Sequence, residues 1–396
     1  MNILFVSDSP FNPVVGGLER VTDVLSKELI KRGHSVYYLC GKIRPSYNYL
    51  LDYEYPAKLY QLPNYGLFDN YENKTFYKYL QSDLKIDIVI NQRGLGGLFN
   101  SLLTLTHTKL VSVIHSVPDC DIIIYLNKLV ELTVPPFAKL KKIIKKYFSC
   151  IISYYWKRKA MADLENKYNE LVQNSDAIVT LSNNDVEIFK GIIKASYVAN
   201  IISIPNPNTF NTAEVSLEKK EKVILYVGRL TKSEKEPLRL LKIWKYLHRK
   251  YFNWQLFIIG EGEEKNNMLE YVRKQQLNNV FFEGQQSDVA QYYKKATFVC
   301  LTSNFEGWGM VLTEGMQYGC IPVTFDNYGA AFDIIDDGLN GCLIPTFDLK
   351  KYASRLSELM SDEDKRFEMS NAAIEKVRMF SVANVVDKWE TLFRSL

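Results

Sequence analysis

The chain has 396 residues, more than the roughly 250 to 300 at which a single hydrophobic core usually stops growing, so two domains are expected. Its 49 basic and 45 acidic residues leave a net charge of only +4, too little for a protein whose affinity rests on neutralising nucleic-acid phosphates. The six cysteines (Cys40, Cys120, Cys150, Cys300, Cys320, Cys342) are dispersed, form no CxxC pair and fall partly in apolar runs, and so read as buried thiols in a reducing cytoplasm.

MNILFVSDSP has no basic leader and its apolar run stops at Ser7 and Asp8, which predicts a first strand and not a secretion signal. No apolar run reaches the roughly 18 residues of a membrane span, so no transmembrane helix is expected. Short continuous apolar runs then alternate with helix-length periodic segments, the pattern of parallel strands covered on both faces by crossover helices. The fold class is therefore α/β. Strands are predicted at 2–7, 35–40, 86–90, 110–114 and 177–181, and the pattern restarts at 201–204, 222–228, 254–260, 279–284, 297–302 and 321–325. Between the two series, IPNPNTFNTAEVSLEKKEK is rich in Pro, Asn and charge and reads as the linker. The boundary is placed near residue 196, giving domains over 1–196 and 197–380. The closing segment SVANVVDKWETLFRSL has helical spacing with Ser381 as N-cap, and this helix, 381–396, is expected to pack back on the first domain.

Two Rossmann-like sheets are expected to face each other across a crevice lined by the carboxyl ends of their strands, where open α/β sheets bind ligands. The informative residues cluster at those strand ends. After the first strand, Gly16 and Gly17 let the backbone approach an anion at a helix N-terminus beginning near Leu18; the same pair also suits an ordinary turn. After the strand VILYVG, Arg229 is followed by Lys232, Lys235 and a helix starting near Pro237. A guanidinium fork and an ammonium at one strand end suit a diphosphate, although a solvated basic loop reads the same way.

The stretch SNFEGWGMVLTEGMQYG leaves the strand TFVCLT and enters a helix closed by Gly319. It puts Glu306 in a glycine-rich loop and Glu314 eight residues on, in the helix. Ionised carboxylates only accept hydrogen bonds, and a sugar or ribose offers adjacent hydroxyl donors, so the pair can orient a sugar nucleotide. A surface helix with a turn-filling glutamate, or the acid and nucleophile of a glycosidase, are the competing readings.

The whole chain resembles a retaining glycosyltransferase of family 4 with the two-domain GT-B fold. The resemblance rests on the E-x7-E signature in EGWGMVLTE with Ser303 before it and GCIPV after it. GGLER, VGRL, IIGEGEE, LSNND, IPNP and FDIIDDGLNGCLIP support it across nearly the full length. It implies that Glu306 contacts the donor sugar and Glu314 the ribose. It further implies that Arg229 and Lys235 hold the diphosphate, that Gly16 and Gly17 approach it, and that His115, closing KLVSVIHSVP, lies beside the donor sugar. Gly307, Trp308 and Gly309 complete the donor-binding set. The lysine usual five positions after the arginine is replaced by Glu234, so Lys235 is favoured, with Lys232 as competitor.

The resemblance also implies a nucleotide diphosphate sugar donor, a glycan or lipid-linked glycan acceptor bound mainly by the first domain, no metal cofactor, retention of configuration, and a role in cell-surface polysaccharide or lipopolysaccharide synthesis. On the acceptor side, AKLKKIIKKYFSCIISYYWKRK (138–159) carries basic residues, no acidic ones and interfacial aromatics. That composition suits an anionic membrane surface and places the protein on the inner face of the membrane, or else forms a long helix with solvated lysines. ELTVPPF and the tyrosine-rich region 45–80 could shape the acceptor cleft. Two other functions are compatible with the fold: a nucleotide-sugar epimerase, against which the full E-x7-E signature argues, and a non-catalytic nucleotide-sugar or glycan sensor, which would be expected to lack Glu306 or the basic pair.

Overall fold

The computed structural model describes residues 1–65, 70–93, 108–119, 142–193, 200–210, 217 and 220–396, and only the backbone of 142–157. The ELTVPPF segment, residues 138–141 of the basic stretch, and linker positions 211–216, 218 and 219 lie outside the described residues.

The described residues form two wholly parallel sheets. The first contains β1 (Asn2–Ser7), β2 (Ser35–Cys40), β3 (Lys58–Gln61), β4 (Ile88–Asn91), β5 (Lys109–Val113), β6 (Ala177–Thr180) and β7 (Asn200–Ser203), in the order β3-β2-β1-β4-β5-β6-β7. The second contains β8 (Glu221–Val227), β9 (Gln255–Ile259), β10 (Val280–Gly284), β11 (Ala296–Cys300), β12 (Ile321–Phe325) and β13 (Cys342–Ile344), in the order β10-β9-β8-β11-β12-β13. Central strands are buried on both faces, which is why NILFVS, IVIN, ATFVC and IPVTF are continuous apolar runs and not alternating ones.

The two sheets repeat one topology. Each half begins with a central strand, β1 or β8; the chain works outward on one side, then returns to the other side at β4 or β11. The order reverses between β1 and β4, and between β8 and β11, so each sheet has a switch point where neighbouring strands send their exit loops apart and leave room for a ligand.

Two strands escape the hydrophobic pattern, β3 and β13, because each is only three or four residues long and sits at a sheet edge. One expectation is corrected. The run at 201–204, assigned to the second series, is β7: it pairs parallel to β6 from Ala177↔Asn200 to Thr180↔Ser203 and closes the first sheet. A four-residue apolar run carries no information about which sheet it joins.

The chain divides into two compact units. One comprises Met1–Asn12, Leu29–Ile204 and Thr391–Leu396, the other Pro13–Glu28 and Pro205–Glu390. The division falls at Ile204, later than the position near 196 expected from the linker. The second unit also takes in the loop and helix start that carry Gly16, Gly17 and Arg20. The last helix, Val382–Ser395, begins as predicted, with the Asn384 backbone N–H on Ser381 Oγ at 3.3 Å. Its terminal turn lies in the first unit, where Phe393 meets His34 edge-on at 6.5 Å.

Glycines of the VGRL and IIGEGEE motifs hold the β8 and β9 exits together. A Cβ on Gly260 would stand 1.9 Å from the Gly228 carbonyl oxygen, and one on Gly262 would stand 2.4 Å from that of Leu230. No side chain fits there, and the close approach is tied by hydrogen bonds from Gly228 N to Ile259 O and from Leu230 N to Glu261 O. Gly260→Ala is expected to destabilise the second unit by at least about 2 kcal/mol, combining backbone strain with the clash. Denaturant unfolding followed by fluorescence of the buried Trp244 and Trp254 in that core checks this, and an unchanged midpoint would refute it.

Candidate functional site

The switch point of the second sheet places the loop after β8 beside the loop after β11. Backbone and amide bonds stitch the two together. Asn304 N donates to Glu234 O (2.7 Å) and its side-chain amide to Ser233 O (2.9 Å), while Asn327 Nδ2 holds the Ser303 and Asn304 carbonyls. This lattice fixes the position of Glu306. Its Oε1 lies 2.6 Å from Lys235 Nζ and accepts a second bond, also 2.6 Å, from Ser303 Oγ. The carboxylate is 9% exposed and the ammonium 21%, so the pair is largely withdrawn from water and each charge depends on the other. Two buried tyrosines, Tyr226 and Tyr328, adjoin it, and burial together with the Glu306 charge drives both phenols far above their usual pKa. They are therefore available only as neutral hydrogen-bonding groups.

Lys235, and not Lys232, is the lysine brought to the signature carboxylate. Lys232 uses its backbone N–H on Glu263 Oε1 at 3.2 Å. Arg229 stays exposed and its guanidinium is bonded to Glu234, the residue standing where a lysine is usual. Gly309, at φ +86°, adopts the left-handed conformation that turns the loop into the helix Met310–Gln317, and a Cβ there would meet the Tyr328 hydroxyl at 3.1 Å. Trp308 is buried against Phe380, ring edge to face at 5.0 Å. Its bulk serves packing because the helix end at Phe380 fills the space in front of it.

Glu314 lies on that helix and is 2% exposed. Its Oε1 receives Arg20 Nη2 and Thr209 Oγ1, each at 3.1 Å, and its Oε2 receives the Tyr293 hydroxyl at 3.0 Å. Arg20 belongs to the helix Gly17–Lys31, whose first residue abuts the signature helix: a Cβ on Gly17 would lie 3.4 Å from Met310 Cγ. A Cβ on Gly16 would meet Glu19 Oε2 at 2.9 Å. The GGLER motif thus fits against the E-x7-E helix within the second unit.

The first unit has its own polar group at its switch point. Asp8, following β1, forms an ion pair with Arg93, following β4. Next to them His115, following β5, bonds through Nε2 to the side-chain oxygen of the buried Gln92. Burial lowers the His115 pKa to about 4 and raises that of Asp8, the latter partly offset by Arg93.

Two adjoining family profiles match the sequence, that described as Glycosyltransferase Family 4 over residues 15–206 and that described as Glycosyl transferases group 1 over 208–376. The chain belongs to glycosyltransferase family 4. It is 29% identical over 220 residues to an uncharacterised glycosyltransferase of Haemophilus influenzae, covering 55% of this chain and 61% of that one. It is 28% identical over 222 residues to the amylovoran biosynthesis glycosyltransferase AmsD of Erwinia amylovora, covering 55% and 62%. In each case the matched segment spans less than two thirds of the relative. The solved structure of Anabaena HepE in complex with UDP and glucose matches with a TM-score of 0.70 at 17% identity, over 100% of both chains, which establishes the GT-B fold.

In this family 4 chain, sequence reading identified both signature glutamates and the lysine but missed the three partners of Glu314. Arg20 stood in view as the last letter of GGLER, whereas Thr209 and Tyr293 carry no motif and reach Glu314 only through tertiary packing. For His115, the unfolded chain takes up a proton near pH 6.5, and the folded one not until about pH 4. Its contribution therefore lowers stability as pH falls from about 6.5 to 4 and is without effect above that window. An NMR titration of the imidazole is expected to show no inflection between about pH 5 and 8; a transition near the ordinary histidine value would contradict the burial.

Proposed function

We propose that this chain transfers a sugar from a nucleoside diphosphate sugar to a glycan or lipid-linked glycan acceptor in cell-surface polysaccharide synthesis, with retention of anomeric configuration and without a metal. The observation that carries the proposal is the Lys235–Glu306 pair at the edge where β8 and β11 leave the sheet together. A carboxylate that accepts from Ser303 and Lys235 retains acceptor positions for the hydroxyls of a hexose. The ammonium beside it can turn toward phosphate oxygens, and the exposed Arg229 guanidinium can exchange Glu234 for the same group, its planar fork matching two phosphate oxygens.

In this reading the chemistry is positional and electrostatic. Bond cleavage at the anomeric carbon releases charge onto the departing diphosphate, and preorganised cations stabilise that charge most when it is fully developed. The departing phosphate takes the proton of the attacking acceptor hydroxyl, so no separate base is needed. HepE was solved in complex with UDP and glucose, which makes uridine the first base to test.

The helix Lys142–Asn174 takes in most of the basic and aromatic stretch, which supports binding to anionic lipid on the inner membrane face. No helix among the described residues is long and apolar enough to cross a membrane. Sedimentation with anionic but not neutral vesicles is the expected result; sedimentation with neither removes the membrane assignment.

A thermal-shift panel of UDP-, GDP-, ADP- and dTDP-sugars is expected to give a shift with one base that persists in EDTA. Arg229→Ala is expected to lower turnover by about a hundredfold or more at saturating donor while leaving the unfolding temperature unchanged. Near-normal turnover in that variant, or conversion of the donor to an epimer without transfer, would overturn the proposal.

A further inference from the structure

Five non-glycine residues among those described hold a positive φ: Lys85, Glu236, Gln276, Asn279 and Phe347. Lys85 and Gln276 follow helix ends, and Asn279 is a residue type that visits the left-handed region readily. The other two, Glu236 at +39° and Phe347 at +59°, both meet Arg239.

Glu236 ends a single turn, where its own N–H and that of Lys235 donate to the Thr231 carbonyl at 2.8 and 3.2 Å. The left-handed conformation closes such a turn, but a residue with a Cβ keeps it only where the surroundings over-determine it. Here they do so at the Glu236 carbonyl, which accepts from Thr302 Oγ1 at 3.2 Å and from the Arg239 N–H at 3.1 Å. The Arg239 guanidinium returns to the same threonine, Nη1 donating to its carbonyl at 3.0 Å, while its carbon lies 4.0 Å from the Phe347 ring centroid. The bonds form a closed ring.

Its place in the chain gives that ring its consequence. Glu236 follows Lys235, and the fully buried Thr302 precedes Ser303, so the clamp stands one residue from each of the two donors to Glu306 Oε1. An ammonium on a flexible four-carbon stem has little geometry of its own, and the backbone must supply it.

We propose that Arg239 is a positioning residue that, by gripping Thr302 and the strained Glu236 joint, fixes the spacing of the two exit loops and so seats the Lys235 ammonium on Glu306. The inference rests on the nucleotide-sugar reading above insofar as that reading assigns Lys235 to the diphosphate, and it adds the residue that presents the lysine. Arg239 acts through Lys235 and not on the ligand. Without its fork the Glu236 backbone relaxes toward negative φ and carries Lys235 away from the carboxylate.

The test uses the full chain and two readouts. The first needs no ligand: acylation of Lys235 by an N-hydroxysuccinimide ester, followed by mass spectrometry, with the exposed Lys245 as internal reference. Arg239→Met, which keeps an apolar stem against Phe347, is expected to speed acylation of Lys235 severalfold and to leave that of Lys245 unchanged. The second is calorimetric titration with UDP, GDP and ADP, continued with whichever binds most tightly. Arg239→Met is expected to weaken binding by about tenfold, the size of a hydrogen bond to a charged group, but by less than about twofold when Lys235→Met is already present. Adding Glu236→Gly to Arg239→Met is expected to recover most of the protection and of the affinity, since glycine holds the left-handed conformation without strain. Thr302→Val, which removes the hydroxyl from the Glu236 carbonyl, is the second variant if Arg239→Met fails to fold, with the same pattern expected. Unchanged acylation in a folded variant, an equal loss of binding in the Lys235→Met background, or no recovery with glycine would overturn the inference. Binding of none of the three nucleotides, with the acylation pattern as expected, would remove the diphosphate reading and leave the positioning role standing.

Discussion

The parallel pairing of β8 with β11 is the constraint on which the candidate site depends. Strands of one direction discharge their exit loops at one edge, and at the switch point those loops leave in opposite senses, so their first residues are neighbours while their helices diverge. Residues about seventy apart in sequence are thereby made adjacent: Lys235 and Glu306 bond at 2.6 Å, and Asn304 threads its backbone onto the carbonyl of Glu234. Side chains alone could not produce this proximity. The glycines of VGRL and IIGEGEE allow the β8 and β9 exits to close up behind it.

Electrostatics then separates the two glutamates of the signature. Glu306 has one cation and one hydroxyl on a single oxygen. Glu314 is held by an arginine, a threonine and a tyrosine from three separate segments. Burial makes each arrangement costly to break by removing one member, since the remaining charge would be left uncompensated. One carboxylate is thus held by two donors on one oxygen and the other by three donors across both oxygens, although both come from the same nine-residue motif.

The first unit repeats the topology with a different balance of charge. At its switch point an ion pair, Asp8 with Arg93, adjoins a histidine that burial keeps neutral. A neutral imidazole fixed by Gln92 is a hydrogen-bonding group and not a cation at physiological pH. Within the second unit, Lys235 and Arg20 bond the two signature glutamates, and Arg239 Nη1 donates to the Thr302 carbonyl at 3.0 Å.

The amino-acid sequence by itself determined the α/β class, the long buried strands, the placement of Glu306, Arg229 and Lys235 in loops at strand ends and that of Glu314 in the following helix, because hydrophobic periodicity and glycine spacing are local properties of the chain. Through the family resemblance it also favoured Lys235 over Lys232 as the diphosphate lysine. Tertiary structure decided the rest. It brought Lys235 to Glu306, since only the fold reveals which ammonium reaches that carboxylate. It assigned the run at 201–204 to the first sheet, since a short apolar strand fits any open edge of matching register. It turned Trp308 inward onto Phe380, and it surrounded Glu314 with Arg20, Thr209 and Tyr293. Those partners lie 294, 105 and 21 residues from Glu314 along the chain, beyond the reach of any local pattern, and only the packing of a buried carboxylate that must be satisfied brings them together.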